Sequence, residues 1–278
     1  MLEGTEVFWP HKENYYDLMV QLTTRGRRAF FKEKQNEPLR ADHAVFDPST
    51  FRWFRRDSDK IILEEKSSSG NSSIMSKAST MSTMSTTSTT STVFLRDLRI
   101  VGFLDSAMGG KGRRGDFAAI ATVGIDAANR LFVLDVWLDH ATPSEQAERI
   151  FAQHDLWNYS AFGIEAIGFQ GLMVEPIETL RRQRRAAGQK SDLPIVEITP
   201  KGSKIERVAA LEPLIHNGWI LFERALGEEF LAQIEQFPSG RHDDGPDALA
   251  SAVELARRPK VIPQLLGRTR PSGKIRGY

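Results

Sequence analysis

Three apolar runs, Leu98 to Leu104, Phe117 to Ile125 and Leu131 to Leu138, follow one another across a glycine-rich loop and the short turn Asp126-Ala127-Ala128-Asn129-Arg130. Runs of this length, rich in β-branched and aromatic residues and bounded by Gly, Asp and Asn, read as strands. Links this short confine the three to an antiparallel meander. The pattern then changes period. Pro143-Ser144-Glu145-Gln146 opens a helix to about Trp157, with Ala147, Ile150, Phe151 and His154 on one face. Ser160 to Glu165 is a fourth strand, about Gln170 to Ala187 a long helix, and Leu193 to Ile198 a fifth strand. Residues 203–217 read as helical with a break near Pro213, Trp219 to Glu223 as a short strand, and Leu226 to Gln236 as a helix. A meander followed by helix-strand alternation predicts an α/β fold: a mixed sheet with helices on both faces.

The last element carries the densest chemistry. Arg241-His242-Asp243-Asp244-Gly245-Pro246-Asp247-Ala248-Leu249 packs three carboxylates into five residues. Ala248, Leu249, Ala252, Val253 and Ala256 then recur at helical spacing, and Pro246 sits where a first turn tolerates proline. A helix therefore starts near Asp244, and Asp244 and Asp247 leave its same face. Capping and the helix dipole favour one acid at such a place. Three exceed that need, although Asp243 fits a cap or a support for a neighbour.

Other carboxylates extend the set. Asp105 ends the first meander strand and Glu165 the fourth strand, each just past a run that a sheet would bury. If those strands are neighbours and the last helix crosses beside them, Asp105, Glu165, Asp244 and Asp247 converge. Carboxylates so close raise one another's pKa and require compensating charge. The chain has no cysteine and no well-spaced histidine pair, so the donors are all oxygen, which suits Mg²⁺ or Mn²⁺ rather than Zn²⁺. Two such ions would clamp a scissile phosphate, one activating water and one stabilising the leaving oxygen.

The organisation around this unit is less regular. Residues 1–57 are aromatic-rich and charged, with a helix from Tyr15 that Gly26 ends, and read as an arm or linker. Residues 58–94 are dominated by a Ser/Thr-rich tract, expected to be a flexible segment. The predicted catalytic unit spans 95–258, and 259–278 form a basic tail rich in Pro and Gly. Net charge is +1, from 37 basic and 36 acidic residues, so no global positive field announces a nucleic-acid partner. Local patches must supply any such contact. Lys111, Arg113 and Arg114 lie on the glycine-rich loop after Asp105, placed to grip phosphates beside a cut or merely to keep a hairpin soluble. The Arg181 to Arg185 run reads as a solvated helix face or a partner contact. The absence of cysteine fits a reducing cytosol, no run approaches a membrane span, and the N-terminus lacks a signal-peptide layout. A cytoplasmic site of action is expected.

This order of strands and acids resembles the ribonuclease H-like nucleases, and most nearly the C-terminal nuclease domain of phage terminase large subunits. The resemblance rests on Phe103-Leu104-Asp105 with Gly115-Asp116, on Gly163-Ile164-Glu165, on Pro200-Lys201-Gly202-Ser203-Lys204, and on His242 through Ala248. It covers roughly Leu98 to Arg257. It implies Asp105, Glu165 and Asp244 as catalytic metal ligands, with Asp247 a fourth or an alternative third. Lys201 and Lys204 would touch substrate phosphate or neutralise a carboxylate, and Asp116 would brace the hairpin or assist the metals. The implied activity is metal-dependent endonucleolytic cutting of concatemeric phage DNA during packaging, in host cytoplasm. Double-stranded DNA, a terminase ATPase region, the small terminase subunit and the portal would be partners. A junction resolvase, a ribonuclease or a non-catalytic packaging module are the competing expectations. Gly109-Gly110-Lys111-Gly112 lacks the spacing of a Walker A loop, so an excised C-terminal part or a split subunit is expected.

Overall fold

The computed structural model describes residues 12–25, 44–64, 92–106, 117–166 and 169–259, with side chains omitted at 22–25, 169 and 170. Nine strands form one sheet: β1 (Arg52–Asp57), β2 (Lys60–Leu63), β3 (Thr92–Phe94), β4 (Arg99–Asp105), β5 (Ala118–Ile125), β6 (Leu131–Asp139), β7 (Ala161–Glu165), β8 (Ile195–Ile198) and β9 (Ile220–Glu223). Their order is β3-β2-β1-β9-β6-β5-β4-β7-β8. The helices used below are α1 (Tyr15–Arg25), α2 (Pro143–Trp157), α3 (Val174–Ala186), α4 (Lys204–Ala209), α5 (Glu212–His216), α6 (Glu228–Gln236) and α7 (Asp244–Arg257). Among the described residues no helix is long and apolar enough to cross a membrane.

The meander is present. β4 pairs antiparallel with β5, and β5 with β6, as the short links demand. β7 then joins β4 in parallel, with Val101 opposite Ala161 and Leu104 opposite Ile164, and β8 adds in parallel to β7. This register is what positions the site, because Asp105 and Glu165 are the next residues on two adjacent strands. Gly163 makes the pairing close: a Cβ there would stand 2.5 Å from the Phe103 ring.

Helices cover both faces. The period-2 burial of the central strands divides the core in two. On one side Val101, Phe103, Ala119, Ala121 and Val133 pack under α7 with Val208, Phe230 and Ile234. On the other, Leu104, Ile120, Phe132 and Leu134 meet Ile150 and Phe151 of α2 and Ile177 of α3. α7 is buried along nearly its whole length, from Asp244 to Ala256. Its small side chains suit a helix pressed against a sheet and flanked by α4 and α6. α2 and α4 each open on a complete capping box, Thr142 with Glu145 and Ser203 with Glu206.

Two features differ from the sequence reading. The break in 203–217 falls at Ala210 and Leu211, and Pro213 sits inside the first turn of α5, where a missing N–H costs nothing. Further, the sheet extends upstream of position 95. β1 runs parallel to β9, with Arg52 opposite Leu221, and β2 and β3 continue outward. Phe54 and Ile61 of this extension are fully buried. The strand pattern of β1 was hidden by its charges, since Arg52, Arg55, Arg56 and Asp57 interrupt Trp53-Phe54.

Candidate functional site

Registered partners on parallel strands share a face, so Asp105 and Glu165 both project on the α7 side of the sheet, at its rim. The N-terminus of α7 arrives at the same rim, bringing Asp244 and Asp247, both buried. These four carboxylates come from three separate segments of chain. Burial is the largest influence on Asp105 and raises its pKa to about 7, with Asp247, Asp244 and Glu165 adding repulsion and Lys204 opposing it.

Asp244 is held by the sheet. Its Oδ2 accepts a hydrogen bond of 3.1 Å from the backbone N–H of Phe117, the residue before β5. Phe117 in turn stacks on His140 at 4.2 Å between ring centroids and meets His242 edge-on at 5.0 Å. His242 thus belongs to an aromatic brace beside the acids, its Nδ1 4.0 Å from Asp244 Oδ2. At the helix start, Gly245 N–H donates to Gln233 Oε1 of α6 at 3.0 Å.

Asp243 stands at the N-cap of α7, yet its side chain makes no capping hydrogen bond. Of the two roles expected for Asp243, a cap or a support for a neighbour, the cap is not made. Its Oδ1 instead lies 2.8 Å from Lys204 Nζ. A charged partner outcompetes a neutral backbone N–H for the carboxylate.

α4 supplies the cations. Lys204 Nζ is 3.8 Å from both Asp244 Oδ1 and Asp247 Oδ2. Burial opposes its charge, but the hydrogen bond to Asp243 and the charges of Asp105, Asp243 and Asp247 outweigh it and raise its pKa above the ordinary lysine value. Lys204 therefore points into the acidic cluster. Lys201 is exposed on the loop before α4. Arg207, which the sequence reading did not single out, donates Nη2 to both oxygens of Asp247 at 2.8 Å and Nε to Oδ1 at 3.2 Å. The signal was available: Arg207 follows Lys204 by three, on the same face of a capped helix.

Lys111, Arg113, Arg114 and Asp116 lie outside the described residues. The Arg181 to Arg185 run is partly tied to the protein. Arg181 Nη2 donates to the Leu193 carbonyl at 2.7 Å, and Arg184 Nη2 reaches both oxygens of Asp155 at 2.6 Å.

The donor set fits a hard divalent cation, being all carboxylate oxygen, with the pKa of Asp105 raised to about 7 by burial and by its acidic neighbours. The side chains as they stand do not form a preassembled cage: among the described residues no group of three or more His, Asp or Glu converges closely enough to hold a metal ion. Lys204 stands beside Asp244 and Asp247 and its charge also acts on Asp105, and Arg207 occupies Asp247.

A meander continued by parallel strands, with acids on adjacent strand ends and a crossing helix that returns further acids to them, defines a ribonuclease H-like α/β protein. The chain belongs to the terminase RNaseH-like domain family, whose model matches residues 103–255. It is similar in structure to the human cytomegalovirus terminase nuclease domain, at 16% identity and a TM-score of 0.40, over 57% of this chain and 82% of that one. That viral domain has also been solved soaked with manganese. The large terminase nuclease of the thermophilic phage G20c matches at 15% identity and a TM-score of 0.39, over 76% of this chain and 97% of that chain. The large terminase of bacteriophage HK97 matches at 14% identity and 0.38, over 57% of this chain but 39% of that one. No curated protein matches the chain.

Proposed function

We propose that this chain is a divalent-metal-dependent DNA endonuclease acting in viral genome packaging, where it cuts concatemeric double-stranded DNA. The observation that carries the reading is the meeting of Asp105, Glu165, Asp244 and Asp247 at one sheet rim, with Asp105 raised to about 7 by burial and by those neighbours. Membership of the terminase family supports it, and the manganese-soaked cytomegalovirus domain supports the choice of metal.

In this reading Asp105, Glu165 and the acids at the start of α7 would hold Mg²⁺ or Mn²⁺, two ions being expected. Bound ions supply an activated water and stabilise the leaving oxygen of a phosphodiester. The chain's own residues prepare the place. Phe117 N–H fixes Asp244, the Phe117, His140 and His242 rings brace that end of the site, and Lys204 balances the acids. Lys201 is proposed to contact backbone phosphate from the exposed loop beside the site. Lys111, Arg113 and Arg114, which follow Asp105 in sequence, are proposed to hold the duplex as well. Phosphate contacts of this kind position DNA without reading bases, so cutting should depend little on sequence. An ATPase region, the small terminase subunit and the portal are the proposed partners, in the cytoplasm of the host.

The test is nicking of supercoiled plasmid with Mg²⁺, Mn²⁺, Ca²⁺ or chelator, comparing the wild type with Asp105→Ala. Cutting that needs metal and vanishes in the variant supports the reading. Undiminished cutting by the variant removes Asp105 from the mechanism, and no cutting in any condition favours a non-catalytic packaging module.

A further inference from the structure

Three acids stand at the start of α7, Asp243 at the N-cap and Asp244 and Asp247 in the first turn, and α4 engages them in different ways. Asp243 precedes the first turn of α7 and Asp247 closes it, and Lys204 and Arg207 stand three apart and share a face of α4. The two sets meet in matched pairs, Lys204 with Asp243 at 2.8 Å and Arg207 with Asp247 at 2.8 Å. Asp244 lies outside the Arg207 fork: its Oδ2 accepts the Phe117 N–H, and its Oδ1 stands 3.8 Å from Lys204 Nζ.

We propose that Lys204 and Arg207 are positioning residues that commit Asp243 and Asp247 to docking α7, and so leave Asp244 as the carboxylate that α7 contributes to the metal. The inference rests on the metal-dependent reading above. A carboxylate with both oxygens in a guanidinium fork has little lone-pair capacity left, and an incoming cation meets the positive charge of Arg207. Both partners are largely shielded, with side-chain exposures of 18% for Arg207 and 9% for Asp247. Separating them would strand a buried charge, which is costly. Arg207 Nη1 also reaches the Gly202 carbonyl at 3.4 Å, so the fork ties the loop carrying Lys201 to the same helix start. Outer residues of this kind orient ligands rather than supply them.

The experiment measures Mn²⁺ affinity of the full chain from the free-ion EPR signal, with circular dichroism as a check on folding. Asp105→Asn, Asp244→Asn, Asp247→Asn, Arg207→Met and the double variant Arg207→Met/Asp244→Asn are compared. Loss of the outer partner in Asp247→Asn is expected to weaken binding by about 10–100-fold, and loss of a direct ligand in Asp244→Asn by clearly more. With Arg207 replaced, Asp247 is released to take over, so adding Asp244→Asn should now cost clearly less than it does with Arg207 present. A merely structural Arg207 would not change the dependence on Asp244. Equal losses in Asp244→Asn and Asp247→Asn overturn the proposal, as does an Asp244→Asn penalty that is the same with and without Arg207. If Arg207→Met does not fold, the comparison of the two aspartate variants still decides. Wild-type protein that binds no Mn²⁺, or binding indifferent to Asp105→Asn, overturns the metal reading itself and this inference with it.

Discussion

Two clusters of charge sit on opposite faces of the same sheet, and they are composed differently. At the rim under α7, Asp105, Glu165, Asp243, Asp244 and Asp247 face Lys204 and Arg207. On the α2 side, Asp135 and Glu223 face Arg56 and Arg149. There Arg56 Nε bonds Glu223 Oε1 at 3.0 Å and lies over the Trp157 ring at 4.6 Å. Gln153 Nε2 donates to Asp135 Oδ2 at 3.0 Å, and Tyr159 links Gln153 to Thr122. The second cluster matches its acids with cations and satisfies most of its hydrogen bonds, apart from a buried Glu223 Oε2 and a buried Arg149 Nε. The first does not. An excess of buried acid is the arrangement expected of the proposed cation site, whereas a more nearly balanced network is the arrangement expected of a polar core.

Four experiments press on that difference. The largest expected effect is on cleavage: Asp105→Ala or Asp244→Ala should lower plasmid nicking on the order of 10³-fold or more, as for loss of a group that acts in the reaction. Asp135→Asn should leave nicking unchanged, and a comparable loss there would erase the functional contrast. Next comes metal-linked stability. Mn²⁺ at about 100 times its Kd should stabilise the wild type by roughly 2.7 kcal/mol and raise its Tm, while Asp105→Asn should show little shift.

A smaller effect is expected with pH in the presence of chelator. Asp105 has its carboxyl raised in the fold from 3.8 to about 7, so between those values the folded state binds more protons than the unfolded chain. Stability should therefore fall as pH rises through that window and then level off. Asp105→Asn should remove part of the slope and raise Tm at pH 8 without metal, and thermal melts across the range would show whether it does. Asp135 and Glu223, both raised first by burial, should contribute slope of the same sign that persists in that variant. The smallest change is in the balanced cluster. Arg56→Met should cost about 1–2 kcal/mol by leaving Glu223 unpaired, with cleavage intact, and adding Glu223→Gln should recover some of it. Urea melts of the single and double variants would measure the coupling.

Much of this was legible in the chain. The meander, the alternation after it and the start of the last helix at Asp244 follow from apolar period and local punctuation, and the observed elements fall within a few residues of those readings. Acids at the ends of buried strands pointed to Asp105 and Glu165. β1 was not legible, because its partner β9 lies far downstream in sequence and its apolar pair sits among arginines. Arg207 was missed for a related reason. A basic residue on a short helix looks solvated until the helix it faces is known.

The sequence by itself determined which segments are strands and helices, which faces they bury, and that Asp105, Glu165, Asp244 and Asp247 belong to elements able to meet. These are local properties, set by side-chain period and by the residues that cap and interrupt. Only the tertiary structure decided the pairings: the register that sets Asp105 beside Glu165, the turn of Lys204 into the acids, and the fork that binds Asp247 but not Asp244. Charge interactions are long in sequence and short in space, and they depend on burial at the meeting point, which no single segment encodes.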